Sequence, residues 1–172
     1  MALKAARFAN LFLTGALTGN EFGSWAGLHP ALHELSQQAH VRSEQAVTRR
    51  YGKIMPIFMV GAIVSFVPVL SLLSDRRSFS FLFGLAGMFC YATMLAITLS
   101  GNIPLNQRTL ELDPDTTSRE EFLELRAHWD KLHTARNGLN LTGFGLAILG
   151  VLASSQGNRR CRRSAFDKRV HA

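Results

Sequence analysis

Apolar and polar stretches alternate along this chain on a long period. Residues 54–73, 79–99 and 137–155 contain no Asp, Glu, Lys or Arg. A fourth stretch, 8–28, is apolar apart from Asn10, Asn20 and Glu21. A helix that crosses a bilayer needs ~20 predominantly apolar residues, and each stretch meets that length. The pattern predicts an all-α fold, a four-helix transmembrane bundle.

Prolines and small residues refine these elements. Pro56 is expected in the first turn of the second span, where its missing N–H costs little, and Pro68 should kink that helix. Gly84, Ala86, Gly87 and Ala92 in the third span, and Gly138, Gly143, Gly145, Ala147 and Gly150 in the fourth, would let neighbouring helices approach closely. Pro104 is expected to end the third helix, with the amides of Asn102 and Asn106 satisfying the freed backbone groups. Thr117 or Ser118 followed by Glu120 and Glu121 marks a helix start. That helix should run through His128 and His133 into the fourth span, as an extramembrane helical extension of the bundle.

Composition changes the picture less than the distribution of charge does. A length of 172 residues indicates one domain. The hydrophobic fraction of 47% and a mean hydropathy of +0.09 resemble a soluble protein, but the charges are confined to loops and tail. The chain therefore divides into a membrane domain, 1–155, and a basic tail, 156–172. Arg159, Arg160, Arg162, Arg163, Lys168 and Arg169 in the tail account for most of the net charge of +7. A basic cluster directly after a span reads as a cytoplasmic anchor on anionic lipid, and no nucleic-acid partner is expected. Cys161 beside it is a free thiol or an acylation site, and Cys90 a packing residue. Two cysteines so placed imply no disulfide framework.

Four spans put both termini on one side. Lys4, Arg7, Arg76, Arg77 and the tail share that side, which the positive-inside rule makes the cytoplasm of a multi-pass cell-membrane protein. The acidic loop 107–133 then faces outward, with the basic stretch 42–53 dissenting. A signal peptide is the competing reading of the N-terminus. The apolar run continues past any plausible cleavage point, which favours a retained helix.

Candidate chemistry sits at the polar interruptions. Glu21 is the one carboxylate inside an expected span. It shares a helix face with Asn10, Thr14 and Leu17, and in hydrocarbon it must be protonated, paired or set in a polar cavity. Arg126, Trp129, His133 and Arg136 follow at steps of three, four and three, so they share a face that continues through Asn137 and Asn140 into the fourth span. Trp129 alone would be an interfacial anchor; the whole stripe reads as a functional site. His29 and His33 have a spacing that suits one metal ion, whereas His33 and His40 as loop histidines would be solvated. His29, about two turns beyond Glu21, could stack above it. No Walker-type, dinucleotide-binding, nucleophile-elbow, paired-cysteine or HExxH pattern is present.

The box Asn102-Ile103-Pro104-Leu105-Asn106, followed by R-x-x-W-x-x-x-H-x-x-R over 126–136, resembles the anthrone-oxygenase-like family of small four-helix membrane proteins, long catalogued as a domain of unknown function. The resemblance runs from the first apolar segment to about Ala153. Some members look like enzymes that oxidise polyketide anthrones to anthraquinones with dioxygen. It implies a membrane oxidoreductase acting on a hydrophobic aromatic or quinone-like substrate. His133 would be general base or metal ligand and Glu21 proton acceptor or second ligand. Asn102, Asn106, Trp129, Arg136 and Asn140 would bind substrate. The alternative is a non-catalytic accessory subunit or small-molecule-binding protein, whose polar face meets a partner helix or a second copy. The sequence names no metal and no organic cofactor. Glu21, Asn102, Asn106, His133 and Arg136 are expected to converge on one pocket near the outer interface.

Overall fold

A computed structural model of the chain describes residues 1–170, with side chains described as far as residue 154. Among the described residues the regular structure is entirely helical. The first helix comprises α1 (Ala2–Gly23), a π-turn (Ser24–Leu28) and α2 (His29–Leu32); the second comprises α3 (Gln37–Val64) and α4 (Phe66–Ser71). The third is α5 (Phe79–Ile97), a π-turn (Thr98–Asn102) and α6 (Ile103–Glu111), and the fourth is α7 (Arg119–Val170). Three of the four are long and apolar enough to cross a membrane, over Gln37–Ser71, Phe79–Glu111 and Arg119–Ser154. The first has the length, but its inward face is polar: Asn10, Thr14, Thr18 and Glu21 are all buried.

The bundle is apolar outside as well as inside. Phe8, Phe12, Ile57, Val67, Phe79, Phe89, Leu141 and Leu152 are exposed, as a lipid-facing surface requires. Leu17, Met59, Ala62, Phe66, Tyr91, Met94 and Ala147 form the core between the helices. The widest contact is between α5 and α7, and glycine makes it. A Cβ on Gly143 would lie 2.9 Å from Tyr91 Cε2 and 3.0 Å from Cys90 Cβ, and one on Gly87 would lie 3.0 Å from the Gly143 carbonyl oxygen.

Several polar groups within this core are paired. The Tyr91 hydroxyl shares a 2.7 Å bond with Thr18 Oγ1 and lies 3.2 Å from the Thr14 carbonyl oxygen. Asn10 Nδ2 donates to Ser65 Oγ at 2.8 Å. Near the N-terminal end, Arg7 donates to Ser154 Oγ at 2.6 Å and to Ser80 Oγ at 2.9 Å. Such bonds are required where no water reaches.

Two expectations about proline and helix ends are corrected. Pro56 is not in a first turn, because α3 begins at Gln37 and Pro56 lies in its interior. The Gly52 carbonyl four residues back loses its intrahelical donor. Pro104 does not end the third helix. The π-turn at Thr98–Asn102, closed by Ile103 N–H to the Thr98 carbonyl, inserts a residue just where the proline ring would press on the carbonyl four positions back. Helix resumes with Pro104 in its first turn. Pro30 is absorbed in the same way by the π-turn before it, where His29 N–H bonds to the Ser24 carbonyl. Pro68 behaves as expected, with α3 giving way to α4 at Ser65.

The start of α7 also follows the sequence. Ser118 Oγ accepts from Glu121 N–H at 3.1 Å, and Glu120 and Glu121 occupy the first turn, where the helix dipole favours them. The loop before it docks on α3. Gln45 Nε2 donates to the carbonyls of Thr109 (3.1 Å) and Leu112 (2.8 Å), and Asp115 accepts from Gln38 (2.9 Å) and Arg42 (3.3 Å). Arg42, part of the dissenting basic stretch, is thus neutralised by the acidic loop. The expected lipid anchor at Arg159, Arg160, Arg162 and Arg163, and Cys161, lie outside the residues whose side chains are described.

Candidate functional site

One end of the bundle is held apart by ionised groups rather than filled. Along α3 the buried residues stop at Gln45 and resume at Met59. Between them Val47, Thr48, Tyr51, Gly52, Met55 and Pro56 face a cavity of about 140 Å³. Both π-turns serve this space, supplying Ser24 and Thr98 and leading directly into His29, Ile103 and Asn106 on its wall. π-Turns occur often at functional sites because the extra residue re-aims the side chains around it.

The remaining wall is polar and comes in two sets. In the first, Arg136 Nη2 donates to both oxygens of Glu21 at 2.7 Å, and His133 Nε2 lies 3.3 Å from Glu21 Oε2. In the second, His29 Nδ1 is 2.9 Å from Glu44 Oε1 and Arg126 Nη2 is 3.3 Å from the same oxygen. His40 Nε2 stands 3.6 Å from the same Glu44 oxygen, and Arg126 also reaches Asp130 Oδ1 at 2.9 Å. Glu21 is 3% and Glu44 1% exposed. Buried carboxylates at that depth are sustained only by such pairing. Among the described residues, no group of three or more His, Cys, Asp or Glu is arranged to hold a metal ion.

Trp129 joins the sets. Its ring centroid lies 4.5 Å from those of both His29 and His133, and the two imidazoles are 5.4 Å apart, edge to face. The Arg126 guanidinium stands 4.3 Å from the indole centroid, a cation–π arrangement. Trp129 Nε1 donates to Asn106 Oδ1 at 2.7 Å. Trp129 is therefore buried in the bundle and is not an interfacial anchor.

The structure brings Glu21, Asn106, Trp129, His133 and Arg136 onto one cavity wall. Asn102 and Asn140 lie off that wall, fully buried. Asn102 Nδ2 is 3.5 Å from the Trp129 carbonyl oxygen, and Asn102 Oδ1 and both side-chain atoms of Asn140 have no partner. His29 stacks on Trp129 and bonds to Glu44 rather than to Glu21. It does not pair with His33 for a metal, since His33 turns towards Asp130, 3.5 Å away.

His40 corrects a sequence expectation: it is buried against Phe122, with ring centroids 4.7 Å apart, not solvated. Glu44 was missed because residues 29–53 read as a polar connection. They form the single turn of α2 and the first half of α3 instead. A signal was present in the spacing of His40, Val41, Glu44 and Gln45, one face of a helix, masked by the polarity of three of the four.

The sequence profile of the anthrone oxygenase family matches residues 45–146, more than half of the chain. It spans the cavity-lining half of α3, all of α5 and α6, and the Trp129, His133 and Arg136 stripe. No curated protein and no solved structure matches. The profile match, taken with three helices suited to a bilayer, settles what kind of protein this is: the chain belongs to the anthrone oxygenase family of membrane proteins.

Proposed function

We propose that the chain is a membrane oxidoreductase that takes a ring of a hydrophobic aromatic or quinone-like substrate into this cavity, with His133 as the general base. The observation that carries the proposal is the placement of two histidine–carboxylate pairs on one wall of a cavity whose lining is mostly apolar by area. An enclosed space of about 150 Å³ accommodates benzene, so the cavity of about 140 Å³ fits one aromatic ring, with further rings held towards its open side. Trp129 offers a face for stacking.

His133 Nε2 is directed at Glu21, which leaves Nδ1 to accept a proton, and Glu21 then stabilises the imidazolium. In an anthrone the ring CH₂ loses this proton and its electron pair spreads to the ring carbonyl. The carbanion reduces dioxygen and forms a C–O bond. The O–O bond then breaks as the second C–H proton leaves, so CH₂ and O₂ become C=O and H₂O. Arg136 and Asn106 would orient the substrate oxygen. Asn102 and Asn140 would support the wall from behind.

The proposed topology places both termini in the cytoplasm and the cavity near the outer interface, on the basis of Lys4, Arg7, Arg76 and Arg77 at the opposite end. The test is an oxygen electrode and product analysis on detergent-purified protein given anthracen-9(10H)-one. Uptake matched to anthraquinone, reduced about 10²–10⁴-fold by His133→Gln, is expected. Binding without oxygen uptake across a panel of anthrones and hydroquinones would instead establish a non-catalytic small-molecule-binding protein.

A further inference from the structure

The two imidazoles at the centre of the site have a second side. His29 and His133 line the cavity described above, and they also line a separate one of about 180 Å³ whose other walls include Trp25, His33, Asp130 and Thr134. The pair thus stands between two chambers, the outer one carrying the side chains of His33, Asp130 and Thr134 beside Trp25 and Pro30. The outer chamber reaches the surface, where the side chains of His33 and Asp130 are 42% and 36% exposed. Trp25 Nε1 donates to Thr134 Oγ1 at 3.0 Å across its rim.

The titratable and charged groups around the partition belong to the two sets described above, with His33 added beside Asp130 and Tyr51 on the inner chamber's wall. Glu21 comes from α1, and His40 and Glu44 from α3. Arg126, Asp130 and Arg136 come from α7, and His33 from the connection after α2. The contacts run outward from His29 through Arg126 (3.2 Å) to Asp130 (2.9 Å) and then His33 (3.5 Å). A branch runs from Glu44 to His40, whose ring centroid is 4.9 Å from that of His33. Arginine does not give up its proton, so it fixes the carboxylates while protons pass by Asp130, the imidazoles and water. A chamber of this volume, with His33, Asp130 and Thr134 on its walls, admits water, which bridges groups not in direct contact.

We infer that His33 and Asp130 are proton-transfer residues, and that the outer chamber exchanges protons between bulk water and the His29–His133 partition. Both substrate hydrogens end in the water formed, so the path serves to reset the protonation of the pair between turnovers and not to carry away a net proton. For its purpose this rests on the base role given to His133, but the readout does not need a substrate. Imidazolium quenches a stacked indole, so Trp129 fluorescence reports protonation of His29 and His133.

The experiment is a laser-induced proton jump on detergent-purified Trp25→Phe protein, with and without His33→Ala, following Trp129 emission. His33→Ala is expected to slow the relaxation about tenfold to a hundredfold, with unchanged amplitude and recovery on adding free imidazole. Asp130→Asn should slow it as well, which guards against an effect peculiar to one variant. Equal relaxation rates in the parent and both variants would overturn the inference. So would the absence of any emission change over the whole pH range in which the protein stays folded, because neither ring would then exchange protons. A protein that lacks oxygen uptake but shows the His33-dependent relaxation would retain the proton path and lose only the proposed reaction.

Discussion

Glu21 and Glu44 are both buried carboxylates that share a histidine and an arginine, yet the three groups divide differently in each set. Arg136 holds both oxygens of Glu21 at 2.7 Å, leaving His133 at 3.3 Å. In the other set His29 holds Glu44 at 2.9 Å, while Arg126 stands 3.3 Å from Glu44 and closer to Asp130. Where arginine neutralises the carboxylate, the histidine is oriented but remains free to take a proton. Where histidine is the nearest partner, its ring is held in place by its carboxylate. Under the proposed reaction this difference gives the substrate proton to His133 and positioning to His29.

That division is broken most severely at the histidines. His133→Gln is expected to cut turnover about 10²–10⁴-fold with normal folding. His29→Gln should be clearly milder and act more on substrate affinity, a contrast that steady-state oxygen uptake resolves. Equal losses in kcat would erase the distinction between the sets.

The arginines sharpen it through stability. Removing one partner of a buried ion pair costs about 3–5 kcal/mol, so Arg136→Met should unfold far more readily in detergent melts. Combining it with Glu21→Gln should recover part of that loss, through a coupling of about 0.5–3 kcal/mol between groups in contact. Arg126→Met should be less disruptive, because Glu44 keeps His29 and His40 as partners. A control lies in the apolar half of the bundle. Gly143→Ala, which presses on Tyr91 and Cys90, should cost about 1–3 kcal/mol by overpacking and leave the relative behaviour of the two sets unchanged. The smallest effect belongs to the tail, where each basic residue near an anionic surface is worth about 1 kcal/mol. Arg160→Ala alone should be silent in membrane-retention and activity assays.

The first of these sets was legible in the sequence and the second only through Arg126 and His29, for a physical reason. Arg126, Trp129, His133, Arg136 and Asn140 lie on one uninterrupted helix, so their spacing translates directly into a shared face. Glu21 stood out because its neighbours are apolar. Glu44 has polar neighbours, so nothing in local hydropathy distinguishes it from a solvated residue; only the docking of α6 and α7 over α3 buries it. Pro104 was misread as a terminator because a π-turn leaves no residue signature of its own. Asn102 was therefore placed at a helix end, when it closes the π-turn behind Trp129.

The claim that the cavity beside Trp129 receives an aromatic ring is tested most directly by binding. Gly52 lines that cavity, and a Cβ added there meets nothing within 4 Å, so Gly52→Phe fills the space without straining the helix backbone. In Trp25→Phe protein, 1,4-naphthoquinone should quench Trp129 emission saturably, and the saturable component should disappear in the Gly52→Phe variant. Saturable quenching that survives this substitution unchanged would place the ring elsewhere and contradict the account.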